Sequence, residues 1–254
     1  MSAFNLQLAI QLAEASEIAY GELLGFDRPG WAVGAKETPI DNTQTDIHAT
    51  LIELPAVNAL AFKGTHGFRN WMEDGMVERV DLGTHKVHRG FWEAHKSIRI
   101  KAWNVLKTAD PRANKPLWIT GHSLGGALAK LMAIWIAQNF PLVTIEHVYT
   151  YGEPRWTNFE GAVLYDKLLG GRTWRVVDKL DPVPMIPFLL GRYRHTEQNE
   201  WFDGEGWMEN MRPEIKKLPH QIKCLWNEWR RGDFESIEDH MIAHYLTGLK
   251  AGAK

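Results

Sequence analysis

The 254-residue chain contains one cysteine, Cys224, so no disulfide can form within it. A four-cysteine zinc site is excluded by the same count. A lone cysteine fits a reducing compartment without requiring one, because exported proteins also fold without disulfides. Charge of one sign is equally scarce. The 29 Lys and Arg against 31 Asp and Glu leave a formal charge of −2, so no global basic field draws the chain to nucleic acid or to an anionic membrane. Long apolar runs are missing too, and none reaches the roughly 20 residues that a bilayer span needs. The opening MSAFNLQLAIQLAEASEIAY lacks a basic start, and Gln7, Gln11 and Glu14 interrupt its apolar residues. It reads as an amphipathic helix and not as a secretory signal. The expectation is a soluble protein, cytoplasmic as synthesised, with any export by a route the sequence does not show. Repeats, low-complexity tracts and linkers are absent, and the length suits one domain over residues 1–254 whose core closes without staples.

Tryptophan, in contrast, is abundant, with 12 copies. Trp suits water–lipid boundaries, but the plainer expectation is that several pack in the core. After the first helix, short apolar runs alternate with helical patterns. Strands are expected at 49–54, 57–64, 116–123, 141–154 and 173–184. Helices are expected at 87–109, 124–140 and 235–251. Such alternation predicts an α/β sheet with helices packed on it. Residues 192–202 read as an antiparallel hairpin, and 213–231 as a basic, Trp-bearing helix that Pro219 breaks or kinks.

Between the strand PLWITGH and the helix LGGALAKL lies Gly121-His122-Ser123-Leu124-Gly125. A G-x-S-x-G pentapeptide alone is weak, but between a strand and a helix it predicts a sharp turn that exposes the serine hydroxyl at the sheet's edge. Glycines two before and two after relieve the crowding of that turn. The helix start aims free N–H groups at the site, and Leu124 N–H is the expected first oxyanion donor. A serine nucleophile needs a base, usually histidine held by a carboxylate, in the order Ser, Asp or Glu, His. His147, His195, His220, His240 and His244 follow Ser123. Asp178 and Asp181 end the apolar strand TWRVV. Asp181, in a loop stiffened by Pro182 and Pro184, is the favoured orienter, and Asp178 is read as a solvated or capping acid. His240 stands at the start of the last helix, capped by Ser236. His244, one turn on, is read as packing or solvent-facing, and His195 as a surface or core residue.

Several segments together resemble the class 3 lipases. They are AFKGTHGFRNWMEDG, KVHRGFWEAH, ITGHSLGGALAKL, YTYGEPRWTN, VVDKLDPVPMIP, YRH and IEDHMIAHYLTGL, in the family's order. The resemblance implies an α/β-hydrolase fold, with a central, mostly parallel sheet, helices on both faces and a short helical lid. It implies catalytic Ser123, Asp181 and His240, with Tyr245 at the family's tyrosine spacing. It also implies a second oxyanion donor at Thr65, through backbone N–H and hydroxyl. Lys63 stands where the family usually has arginine, and Asp178 where it usually has Asn or His. Tyr20 is expected near the oxyanion region. Lacking disulfides and a signal, the chain looks closer to bacterial-type members than to secreted fungal ones.

Phe68, Trp71 and Met72 fall on one helical face, and the resemblance places the lid over about 66–75, with Gly67 and Gly75 as hinges. Residues 185–190 form an apolar run after Asp181 that suits an acyl pocket, a lipid surface or a core strand. The expected activity is hydrolysis of a fatty-acyl ester by acyl transfer to water, with no metal or organic cofactor. The expected partners are a lipid or small-molecule ester and, transiently, a lipid interface, with no nucleic acid and no obligate protein partner. Alternatives are a phospholipase A1, a feruloyl-type esterase, or a non-catalytic lipase-like binding module.

Overall fold

The computed structural model describes residues 4–21, 29–64, 78–178, 181, 183–187, 192–196, 199–202, 207–208 and 241–253, with backbone alone at 199–202 and 207–208. Eight strands form one sheet: β1 (Lys36–Asn42), β2 (Ile47–Glu53), β3 (Asn58–Phe62), β6 (Leu117–His122), β7 (Ile145–Tyr151), β8 (Thr173–Asp178), β9 (Asn199–Phe202) and β10 (Trp207–Met208), in that spatial order. The run from β3 to β9 is parallel, and antiparallel pairs close both ends. A separate antiparallel pair joins β4 (Arg79–Asp81) to β5 (Lys86–His88).

Strand alternation divides the interior in two. On β3, Leu60 and Phe62 join one core cluster while Ala59 and Ala61 join the other, because successive side chains point to opposite faces. The first cluster includes α2 (Arg89–Ala109), α3 (Leu124–Asn139) and Tyr165 and Leu169 of α4 (Phe159–Leu169). The second includes α1 (Leu6–Ile18) and α5 (Ile242–Gly252). This is the expected α/β arrangement with helices on both faces. Trp156 is fully buried, while Trp92, Trp103 and Trp135 pack from the margin of the first cluster. Among the described residues, no helix is long and apolar enough to cross a membrane.

The structure corrects the expected hairpin over 192–202. Arg194 bridges Thr157, and residues 199–202 enter the main sheet parallel to β8. The antiparallel partner of β9 is β10, further along the chain. The expected helix at 213–231 lies outside the described residues, as does the start of the closing helix, 235–240.

Three histidines are held without charge, His88 and His95 buried and His195 nearly so. Burial brings His88 down to about 4. Burial, then the Arg99 cation, brings His95 down to about 3. Burial, then the Arg175 cation, brings His195 down to about 3. Neither ring nitrogen of His95 has a hydrogen-bond partner among the described residues. The unfolded chain takes up these protons near pH 6.5 and the folded chain only near pH 3 to 4. Stability is therefore complete above about pH 6.5 and falls as pH drops through that window, with a slope of up to about 4 kcal/mol per pH unit. Urea unfolding at pH 7, 6 and 5 is expected to show a steadily falling midpoint. A constant midpoint would contradict the neutral burial of these rings.

Candidate active site

The elbow stands where β6 meets α3. Ser123 has φ 57° and ψ −128°, a left-handed conformation that side chains other than Gly rarely adopt. Strain of about 1–3 kcal/mol persists at such a residue only when its surroundings fix it. Here they do: Ser123 N–H donates to Tyr151 O at 2.9 Å, and Gly126 N–H donates to Ser123 O at 3.0 Å. The flanking glycines are obligatory in this packing. A Cβ on Gly121 would overlap the Gly125 carbonyl, and one on Gly125 would overlap the Phe62 carbonyl. Ser123 is 2% exposed. Helix α3 begins at Leu124, so Leu124 N–H has no intrahelical acceptor and lies at the helix's positive end.

The chain leaving β3 comes up against Ser123. An ideal Cβ on Gly64 would lie 3.1 Å from Ser123 Cβ and 2.9 Å from His122 O. Tyr20 fills the space beside it. Its Oη is 2.7 Å from His122 Nδ1. Burial raises the phenol's pKa, partly offset by a hydrogen bond from Gly64 N–H. Lys63 Nζ stands 5.7 Å from the Tyr20 ring centroid. Tyr20 thus stands between His122 and Gly64, beside the elbow. Thr65 itself and the whole lid segment, with Phe68, Trp71 and Met72, lie outside the described residues.

Asp181 is buried just past β8. Its N–H donates to Asp178 O at 3.2 Å. Its Oδ1 accepts from Val183 N–H at 2.8 Å, and its Oδ2 accepts from Tyr245 Oη at 2.6 Å. Tyr245 Oη also accepts from Asp178 N–H at 3.2 Å. Burial, then the Asp181 charge, pushes the Tyr245 phenol well above its ordinary value, so it stays a donor. The strand order puts Ser123 and Asp181 past the ends of β6 and β8, with β7 between. Two strand spacings are about 10 Å, so both residues stand at one edge of the sheet. His240 lies outside the described residues, but its neighbour Met241 caps α5, and Tyr245 ties that helix start to Asp181. Tyr245→Phe is expected to lower unfolding free energy by about 2 kcal/mol, since it removes a donor to a buried carboxylate. Thermal melts alongside kcat measurements check this; an unchanged melting temperature would contradict it.

Two readings of single residues need correction. Asp178 is neither solvated nor a cap: its side chain is 1% exposed, with Oδ2 2.9 Å from His244 Nε2. Its position on the inner end of β8 buries it, and His244 on α5 reaches it. His244 is therefore engaged with a carboxylate and not merely packed. The apolar run after Asp181 is also partly core. Val183 and Ile186 join the first cluster, while 188–190 lie outside the described residues. Among the described residues, no group of three or more His, Cys, Asp or Glu is placed to hold a metal.

The sequence profile of the family described as Lipase (class 3) matches residues 59–191, which is 133 of 254 residues. Secreted mono- and diacylglycerol lipase 1 of Fusarium solani is 35% identical over 152 residues, 57% of this chain and 44% of that protein. Secreted mono- and diacylglycerol lipase A of Penicillium cyclopium is 31% identical over 171 residues, 63% of this chain and 53% of that protein. The matches thus span about half the length of these relatives. Among solved structures, a lipase from Rhizopus microsporus var. chinensis superposes with a TM-score of 0.68 at 25% identity, covering 80% of this chain and 76% of that one. These relatives are fungal and lend the bacterial-type expectation no support. Two are named secreted, which overturns the cytoplasmic expectation. The sparse cysteine content was no guide there, because a core of this size closes without disulfides. With the profile running from β3 through the elbow to the loop after Asp181, the chain belongs to the class 3 lipase family.

Proposed function

We propose that this chain hydrolyses fatty-acyl esters, acylglycerols foremost, with Ser123 as nucleophile. The observation that carries the reading is the elbow: a serine held at positive φ, at a helix start, with the Gly64 backbone against it. Ser123 Oγ attacks the ester carbonyl while His240 takes its proton. Asp181 holds His240 and stabilises the imidazolium. Leu124 N–H, with Thr65 from the segment after Gly64, receives the oxyanion. The protonated His240 then gives its proton to the leaving alcohol. Water, deprotonated by His240, attacks the acyl-enzyme, and the fatty acid departs. The acylglycerol preference rests on the names of the Fusarium and Penicillium relatives.

A substrate panel tests this. Wild type is expected to cleave p-nitrophenyl esters and mono- or diacylglycerol, and Ser123→Ala to cleave none of them. Hydrolysis confined to phosphatidylcholine or to feruloyl esters would move the assignment to a phospholipase A1 or a feruloyl esterase. Hydrolysis of nothing would make the chain a binding module.

A further inference from the structure

Behind the nucleophile helix lies a group of buried charges that acyl transfer does not use. Lys130 is on the second turn of α3 and Glu153 follows β7, and their side chains are 0% and 1% exposed. Lys130 Nζ is 3.0 Å from Glu153 Oε2 and donates to Thr196 Oγ1 at 2.6 Å. Thr150 Oγ1 donates to the same Glu153 oxygen at 2.5 Å, and Arg175 Nε on β8 stands 4.0 Å from it. His195 precedes Thr196. Its Nε2 is 2.6 Å from the carbonyl oxygen of Pro184. A carbonyl only accepts, so Nε2 carries the proton and donates. His195 Nδ1 is 3.8 Å from Glu153 Oε1, too far for a hydrogen bond.

These contacts form a route between the two halves of the site. Lys130, on the helix that opens at Ser123, grips Thr196. The adjacent His195 grips Pro184, three residues past Asp181. Arg155 secures the same loop from the Glu153 side, through its N–H to Ile186 O at 2.8 Å and its guanidinium to Pro187 O at 3.2 Å. The backbone N–H of Arg194 anchors the 192–196 segment on Thr157 O at 2.7 Å.

Stability does not account for this arrangement. Removing two charges from water costs several kcal/mol per ion, and apolar replacements of buried pairs are often neutral or stabilising. What the pair supplies is fixed geometry. Burial raises the Glu153 carboxyl, but the Lys130 and Arg175 cations outweigh it and bring it to about 2. Burial, partly offset by the Glu153 charge, brings Lys130 to about 8. Both are therefore charged at neutral pH, and a charged pair at 3.0 Å is a stiff spacer.

The geometry points to Lys130 and His195 as positioning residues that lock the Asp181 loop to the nucleophile helix, with Glu153 as the counter-charge that keeps Lys130 ionised. This inference rests on the proposed role of Asp181, acting through the placement of that carboxylate and not on substrate.

The test is a double-mutant cycle on a soluble short-chain p-nitrophenyl ester. His195→Leu is expected to lower kcat about tenfold, because a displaced orienter misaligns the base, with KM changed less than about twofold. His195→Gln, whose amide N–H can reach the same carbonyl, is expected to restore most of kcat. In an Asp181→Asn background, His195→Leu is expected to cost nothing further, since both act through one carboxylate. Lys130→Met removes the grip on Thr196 while leaving Glu153 facing Arg175, and is expected to reproduce the loss if His195→Leu does not fold. Losses that multiply in the double variant, a His195→Gln as poor as His195→Leu, or full activity in His195→Leu would each overturn the inference. Asp181→Asn alone reports separately on the triad: if it keeps full activity, the triad reading fails first and the positioning role falls with it.

Discussion

His240→Ala is expected to lower kcat on a soluble ester by at least about 10⁴-fold, while His244→Ala keeps activity within about tenfold. The size of the first loss follows from the chemistry. Without a base, Ser123 stays a neutral alcohol, and the residual rate comes only from oxyanion binding and substrate placement. The contrast matters because the structure offers a rival pair. His244 Nε2 is 2.9 Å from Asp178 Oδ2, which is itself an orienter–histidine geometry. Two observations favour Asp181 as the orienter. Its carboxylate oxygens accept from Tyr245 Oη and Val183 N–H, a frame that fixes the group's orientation. It also lies beyond the strand end, at the edge where Ser123 emerges, whereas Asp178 is the last residue inside β8. His244→Ala leaves the Asp178 carboxylate buried without its histidine, so it is expected to lower the melting temperature more than kcat. Activity retained in His240→Ala and abolished in His244→Ala would reverse the assignment.

Gly125→Ala is expected to destabilise the fold by about 3 kcal/mol or more and to abolish hydrolysis. The added Cβ would overlap the Phe62 carbonyl and come within 2.9 Å of the Lys63 carbonyl carbon. Both are backbone atoms of β3 and the turn after it, so no rotamer relieves the clash. Relief requires moving β3 away from the elbow, and with it Gly64, which lies against Ser123. At Gly126 the nearest contact is the Glu153 Cβ at 3.0 Å, so Gly126→Ala is expected to cost less. Gly30 has open space around it, and Gly30→Ala is expected to stay within about 0.5 kcal/mol of wild type. Urea unfolding of the three variants checks the ranking, and an unperturbed Gly125→Ala would contradict the close packing at the elbow.

The parts of this site written locally in the sequence were legible there. The elbow shows itself because an apolar strand, G-x-S-x-G and an apolar helix are contiguous. The strand ending at Asp178 shows itself through TWRVV. What escaped is of two kinds. Elements with weak periodicity were missed. Strand β1 is an edge strand whose only fully buried residue is Ile40. Helix α4 exposes Phe159 and Val163, though Asn158, which caps it by accepting from Gly161 N–H, was a usable signal. Pairings across long sequence gaps were missed as well. Asp178 and His244 are 66 residues apart, and Lys130 and Thr196 likewise. A lysine inside a helix that is apolar all round was itself a hint, since a cation buried there must be paired.

The proposed hydrolysis rests on covalent chemistry at one atom, Ser123 Oγ. The direct measurement is mass spectrometry after treatment with an alkyl fluorophosphonate. One phosphonyl adduct per chain is expected, on the peptide that contains Ser123, with hydrolysis lost in step with labelling and no adduct on Ser123→Ala. An unlabelled wild type that still hydrolyses esters, or an adduct carried by another residue, would contradict it.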